Sequence, residues 1–357
     1  MRRLALGSLA CCGLAAGGLL GSGGGAVEGA DARLPSAEIA RSVTPRVEAR
    51  GVPFPTNLTF DPRGRMWVTS ASGGPDSDGI WLVPRRGAPR RVASNLPTAL
   101  GLVWSRGVLY VGHITSRSNG RVTALSGFTG RGFRRRRVVL DRLKVGLHTV
   151  DSLVAGDAGR LFVGVGSPRD NRGLSGRVFS FEPRTGRKRL EARGLRNPYG
   201  LAWWGQRLLV TDNGRDDLGL GRPPEELNAF DPTGPVARFG FPGCYGQGGA
   251  ACRNTRGPFV RFPAHASTDG LAVRGHFAYV AQNGSSFAAN PTGNDVQCVN
   301  LRTRKRRRMW KSPVSHDPLG AAIGPDRRLY VTLFRSGRVV SFDVSRGCRA
   351  PVSRARR

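Results

Sequence analysis

Apolar residues along this chain come in short runs separated by Gly, Asp and Pro, and one phrase of that kind recurs six times. It reads LTFDPRGRMWV at 58–68, GLVWSRGVLYV at 101–111, LVAGDAGRLFV at 153–163, GLAWWGQRLLV at 200–210, GLAVRGHFAYV at 270–280 and AIGPDRRLYV at 322–331. Each copy predicts a hairpin: two apolar strands joined by a tight turn in which Gly, or Asp with a following turn residue, takes up the required backbone angles. Most copies lead into a third strand, beginning at Gly79, Gly120, Gly176 and Gly337. The aromatic residue or Leu before the closing Val falls at Trp67, Tyr110, Phe162, Leu209, Tyr279 and Tyr330, a blade-sized spacing of about 40 to 70 residues. Antiparallel units of that size, with no helical period between them, predict an all-β fold, a six-bladed β-propeller, over a solenoid or a doubly wound sheet. The widest interval, between Leu209 and Tyr279, holds inserted loop, and loop on a rigid scaffold is where function concentrates.

Composition agrees with that pattern. A hydrophobic content of 39 % with 51 Gly and 24 Pro in 357 residues suits many short strands and turns and is too apolar for a disordered chain. The N-terminus adds a different element: Arg2 and Arg3 precede an apolar run, then a Gly-rich stretch and Ala30-Asp31-Ala32, the layout of a signal peptide over 1–32. That run is too short and glycine-rich for a transmembrane anchor. The expected layout is therefore the leader, a lead-in segment at 33–51, one propeller domain at 52–348 and a basic tail at 349–357, in a protein secreted or held in the cell envelope or periplasm. Outside the leader stand four cysteines, Cys244, Cys252, Cys298 and Cys348. Disulfides are their default in an oxidising compartment, and no C-x-x-C pair suggests zinc. Three pairings exist; the short loop between Cys244 and Cys252 favours joining those two, leaving Cys298 with Cys348.

The net charge of +32 suggests nucleic acid at first sight, with Arg134 to Arg137 and Arg304 to Arg308 as phosphate grips. However, only Lys144, Lys188, Lys305 and Lys311 are lysines, and the arginines are spread over the whole chain, which reads as solvated loops. Export removes DNA as a partner, so no nucleic acid is expected; attraction to anionic envelope polymers is compatible with the charge.

Acidic residues are the scarce ones, 24 in all, yet Asp212, Asp216, Asp217, Glu225, Glu226 and Asp231 crowd together. Crowded carboxylates repel unless a cation or arginines neutralise them, and loops rich in oxygen ligands suit Ca²⁺. Local arginines such as Arg215 and Arg222 are the competing answer. Among five histidines, His148 stands just before the first strand of the third repeat, near where a propeller's central channel opens, a position for a general base. His113, His265, His276 and His316 lie beside strands or in turns, and position alone does not choose among them. Trp203 and Trp204 continue the strand pattern and read as blade packing, while Asn57-Leu58-Thr59 is a glycosylation triplet placed on a strand.

Taken as a set, His148, GDAGRLFV at 156–163, GLRNPYGLA at 194–202, TDNG at 211–214, ELN at 226–228 and GFP at 240–242 resemble the glucose/sorbosone dehydrogenase family. Those are soluble quinoproteins, six-bladed propellers that carry pyrroloquinoline quinone (PQQ) and calcium. The resemblance implies that His148 takes the proton from the sugar's C1 hydroxyl and that Arg196 stabilises charge on the quinone oxygen. It also implies that Asn197 and Asn213 hold the cofactor, that Gly214 and Arg215 offer backbone carbonyls to a cofactor-bound Ca²⁺, and that Glu226 stands near a second ion. The expected partners are a small-molecule sugar and an electron acceptor that the sequence does not identify.

Two departures from the family pattern bear on the cofactor, a tricarboxylate. No Lys or Arg follows Gly284-Ser285 through Asn290, and Ser315-His316-Asp317-Pro318 stands where an arginine is expected. His316, or a displaced arginine such as Arg335, is the candidate to compensate. Two alternatives therefore accompany the dehydrogenase reading: a non-catalytic envelope-binding propeller that has lost the cofactor, and a calcium-dependent lactonase.

Overall fold

Each repeated phrase forms the two innermost strands of an antiparallel sheet, and six such sheets close into a ring, a six-bladed β-propeller. The computed structural model describes residues 43–71, 78–245, 248–285 and 292–348; the leader, the first part of the lead-in, Ser286 to Asn290 and the basic tail lie outside the described residues. The inner strands of blades 1 to 6 are Pro55–Phe60, Gly101–Ser105, Val150–Ala155, Leu201–Trp204, Thr268–Arg274 and Pro318–Ile323. Two further strands follow each in simple up-and-down order, and an outer strand completes the blade. Blade 6 takes its outer strand from the other end of the chain: Arg46–Arg50, in the lead-in segment, pairs antiparallel with Arg338–Phe342. Ala237–Arg238 adds a short parallel strand to blade 3.

The core is distributed between blades. Trp67, Ile80, Leu102 and Leu109 fill the space between blades 1 and 2, with Trp67 stacked on Trp104 at 5.5 Å. Comparable clusters fill the remaining inter-blade spaces around the ring. The residue before the closing Val is buried in every copy, at Trp67, Tyr110, Phe162, Leu209, Tyr279 and Tyr330. Trp203 packs edge-on against Phe162 and donates its indole N–H to Ala155 O, which makes it a blade residue. Asn57 is buried too, its amide donating to Ser152 Oγ in blade 3.

Inner strands approach closely where the repeat places glycine. A Cβ at Gly101 would strike Asp151 O, and one at Gly200 would strike Asp269 O, so neither position accepts a side chain without moving backbone. Tyr199 fills the axis, packed with Leu100, Leu319 and Phe334, its hydroxyl 3.4 Å from Thr56 O. At the rim the arginine runs are explained. Arg134 to Arg137 lie exposed on the outer strand Phe133–Lys144, and Arg306 to Arg308 on the outer strand Arg306–Lys311. Charge on an outermost strand blocks edge-to-edge pairing with another molecule.

Both expected disulfides are present, Cys244–Cys252 within the inserted loop and Cys298–Cys348 between blade 5 and the end of the chain. No helix among the described residues is long and apolar enough to cross a membrane.

Candidate active site

In an antiparallel blade, the connection leading into the inner strand and the loop between the second and third strands emerge on the same face. That rule brings together His148 and Asp170 of blade 3, Arg196 to Asn197 and the 212–225 loop of blade 4, and His265 ahead of blade 5. Bulges in the inner strands of blades 3 and 5 leave Asp151-Ser152 and Asp269-Gly270 out of the ladder, beside the axis.

Arg196 is the centre of this face. Its guanidinium is buried, with Nε donating to Asp170 and Nη2 donating to Asp216 Oδ2 at 2.6 Å. The backbone N–H groups of Arg196 and Asn197 both donate to the Asp212 carboxylate, at 2.9 and 2.7 Å, which fixes the turn. Asp216 meets His265 Nδ1 at 3.3 Å, and His265 Nε2 donates to Gly219 O. On the other side Asp170 Oδ1 lies 3.9 Å from His148 Nε2, an electrostatic contact beyond hydrogen-bond reach. The result is a chain of alternating basic and acidic side chains, His148, Asp170, Arg196, Asp216, His265.

Buried atoms here with no hydrogen-bond partner among the described residues include His148 Nε2, Asn197 Oδ1 and Asn213 Oδ1, and with them Thr149 Oγ1 and Asp151 Oδ2. Asn213 spends its amide N–H on Asp269 Oδ1 at 2.9 Å. Gly166 explains how His148 and Asn197 come together: a Cβ there would collide with His148 Cβ and crowd Asn197 Oδ1. Buried polar atoms left open cost stability unless something polar meets them.

The electrostatics assign protonation states. Burial, then the Arg196 charge, pulls His148 down to about 4 against the raising influence of Asp170, so the imidazole is neutral at pH 7. Burial pushes Asp170 up, but His148 and Arg196 outweigh it and hold that carboxyl well below its usual range. Burial raises Asp151, Asp212 and Glu225 strongly, with Asp269 and Asp212 adding repulsion at Asp151. Asp269 is raised by burial to about 7.

The remaining expected residues are placed as follows. Gly214 donates its N–H to Glu225 Oε2 at 3.3 Å. Arg215 forms a two-point pair with Asp217, both contacts 2.8 Å, and donates to Pro242 O. Glu226 stands opposite Asp212 across the strands, its carboxylate accepting from Asn228 at 3.1 Å, on the face of its strand away from Glu225. His113 is buried against Thr123, and His316 Nδ1 meets Gly284 O. Asp151, Asp170, Asp269 and His265 are site residues that the motifs do not mark. Their signal in the sequence is faint: the three aspartates are acids in an acid-poor chain, and each of the four stands beside a predicted strand. The carboxylates come from blades 3, 4 and 5, not from the fourth alone, because loops far apart in sequence share one face.

The chain matches no protein-family model. An uncharacterized protein of Borreliella burgdorferi is 26 % identical over 149 residues, 36 % of this chain, and the match spans only 39 % of that relative's length. Solved structures match far more of it. The iodide structure of a Trichoderma reesei carbohydrate-active enzyme of family AA12 superposes with a TM-score of 0.73 at 18 % identity, covering 89 % of this chain and 100 % of that one. The holo form of the pyranose dehydrogenase PQQ domain from Coprinopsis cinerea gives 0.71 at 16 %, covering 86 % and 98 %. The PQQ-bound aldose sugar dehydrogenase of Streptomyces coelicolor gives 0.69 at 20 %, covering 85 % and 98 %. The chain has the fold of these enzymes.

Proposed function

We propose that this chain is an exported PQQ- and calcium-dependent dehydrogenase that oxidises an aldose or a related sugar, with His148 as general base. The observation that carries the reading is His148 itself: neutral, with an unpartnered Nε2, on the face where Asn197 and Asn213 also present unpartnered oxygens around Arg196. Those open polar atoms fit a cofactor with a polar edge. Bound PQQ would supply the two-electron acceptor that no side chain offers. Among the described residues no three His, Cys, Asp or Glu side chains gather into a metal cage. Calcium would therefore rest on the carbonyls of Gly214 and Arg215 together with cofactor oxygens, with Glu226 left to a separate ion.

Within this reading each residue has a defined task. His148 Nε2 accepts the proton of the sugar's C1 hydroxyl, and Asp170 steadies the imidazolium that results. Arg196 places positive charge against the developing oxyanion. Asp212 holds the Arg196-Asn197 turn by its two backbone bonds. Arg196, with Arg215 close enough to feel the Asp170 charge, would supply positive charge to a bound tricarboxylate.

One observation favours the non-catalytic alternative: two of the three guanidinium nitrogens of Arg196, Nε and Nη2, already carry carboxylates. The lactonase alternative draws on the carboxylates that converge from three blades. Titration of the apoprotein with PQQ and Ca²⁺, followed by dye reduction over an aldose panel, separates the readings. Micromolar PQQ binding with sugar-dependent reduction that disappears in His148→Ala supports the dehydrogenase. No PQQ binding sinks it, and lactone hydrolysis without PQQ replaces it.

A further inference from the structure

Away from that site, blade 5 carries a polar cavity. It has a volume of about 270 Å³, lies between the two outer strands and Pro263, and is rimmed by Arg306, Arg308 and Lys311. Its floor is made by Asp295 and Gln297, 4 % and 5 % exposed. The strand register sets them opposite Lys311 and Arg308. Gln297 Nε2 donates to Asp295 Oδ2 at 2.9 Å, which locks the two side chains side by side. Asp295 Oδ1 and Gln297 Oε1 are then left as buried acceptors with no donor among the described residues. Burial raises Asp295 to about 6 while Arg308, Lys311 and Arg306 pull it back, so it is mostly ionised at pH 7 and accepts. Arg306 is held over the Phe262 ring at 5.7 Å.

A ligand that answers this arrangement must offer two adjacent donors at the floor and negative charge at the rim. Vicinal hydroxyls provide the first and a phosphate or carboxylate the second. We propose that the cavity binds an anionic sugar, two neighbouring hydroxyls donating to Asp295 Oδ1 and Gln297 Oε1 and the anionic group resting on Arg308 and Lys311. Pro263 lines this cavity, whereas His265, two residues on, belongs to the Arg196 network, and no residue of that network lines the cavity.

Calorimetry on the mature protein without added PQQ tests the proposal, using glucose 6-phosphate, glucuronate, glucose and inorganic phosphate as probes. At least one anionic sugar should bind more tightly than both glucose and phosphate, and which of the two binds better identifies the anionic group. The exposed double variant Arg308→Gln/Lys311→Gln should weaken that sugar by at least about tenfold, the scale of a lost charge-assisted contact, and leave dye reduction unchanged. Gln297→Met, checked for an unchanged melting temperature, should bring the sugar down to the affinity of its bare anion. Anionic sugars binding no better than phosphate would overturn the proposal, as would binding that survives the rim variant or is lost in His148→Ala.

Discussion

His148 is the residue whose chemistry is most exposed to test. With its side chain only 12 % exposed and Arg196 beyond Asp170, its conjugate acid is disfavoured and its pKa falls to about 4. A base of that kind stays competent down to about pH 4, so kcat/KM should hold through pH 6 and fall only as the imidazole protonates below it. Asp170→Asn removes an influence that raises His148, so the acidic limb should move to lower pH while the maximal rate drops. A limb that stays near the ordinary histidine value of about 6.5 would contradict the burial argument. The same shift bears on folding. The folded pKa lies below the unfolded one, so the stabilising contribution is complete above about 6.5 and is lost as pH falls toward 4.

At the scale of elements, the bulged inner strands of blades 3 and 5 work in the opposite sense. Asp269 is raised to about 7, so the folded protein holds a proton there that the unfolded chain releases near its ordinary value of 3.8. Stability from this group is present below that value and declines as pH rises from there through 7, by up to about 4 kcal/mol. Asp151, Asp212 and Glu225 are shifted in the same direction. Urea unfolding of the apoprotein at pH 5 and pH 8 should therefore show a lower midpoint at pH 8, and Asp269→Asn should narrow the gap. An equal midpoint at both values would mean that these carboxylates are neutralised by something else. The hairpins around these residues were legible in sequence, because period-two alternation and a Gly turn state a strand pair locally. The bulges were not: nothing in Thr268-Asp269-Gly270 announces that Asp269 leaves the ladder to face Asn213, 56 residues away.

Over the whole molecule, the ring was legible from its repeats and the site only in part. His148, Arg196, Asn197 and Asn213 carry motif signals and do meet, whereas Asp170 and His265 join them only because every blade sends the same two loops to one face. The charge shows the same division: exposed arginine runs on outer strands follow from the need to keep blade edges apart, which composition alone did not locate.

The final constraint at this scale is closure, and blade 6 carries it twice. Arg46–Arg50 zips the N-terminal end onto Arg338–Phe342, and Cys298–Cys348 ties the segment after that strand to the buried third strand of blade 5. A crosslink limits the unfolded chain more when it spans more residues. The separation of 50 for Cys298–Cys348 corresponds to about 4 kcal/mol, and that of 8 for Cys244–Cys252 to about 2.5 kcal/mol. Replacing Cys298 and Cys348 by Ser should therefore lower global stability more than replacing Cys244 and Cys252. The shorter crosslink has a different task. Cys244 packs against Gly240, and Pro242 between them accepts from Arg215, so under the proposed function its loss should also weaken PQQ and Ca²⁺ binding. Denaturant unfolding of the two serine double variants, read beside cofactor titration, checks both halves. Equal losses of stability, or unchanged titration in the Cys244→Ser/Cys252→Ser protein, would break the link between loop length, ring closure and the site.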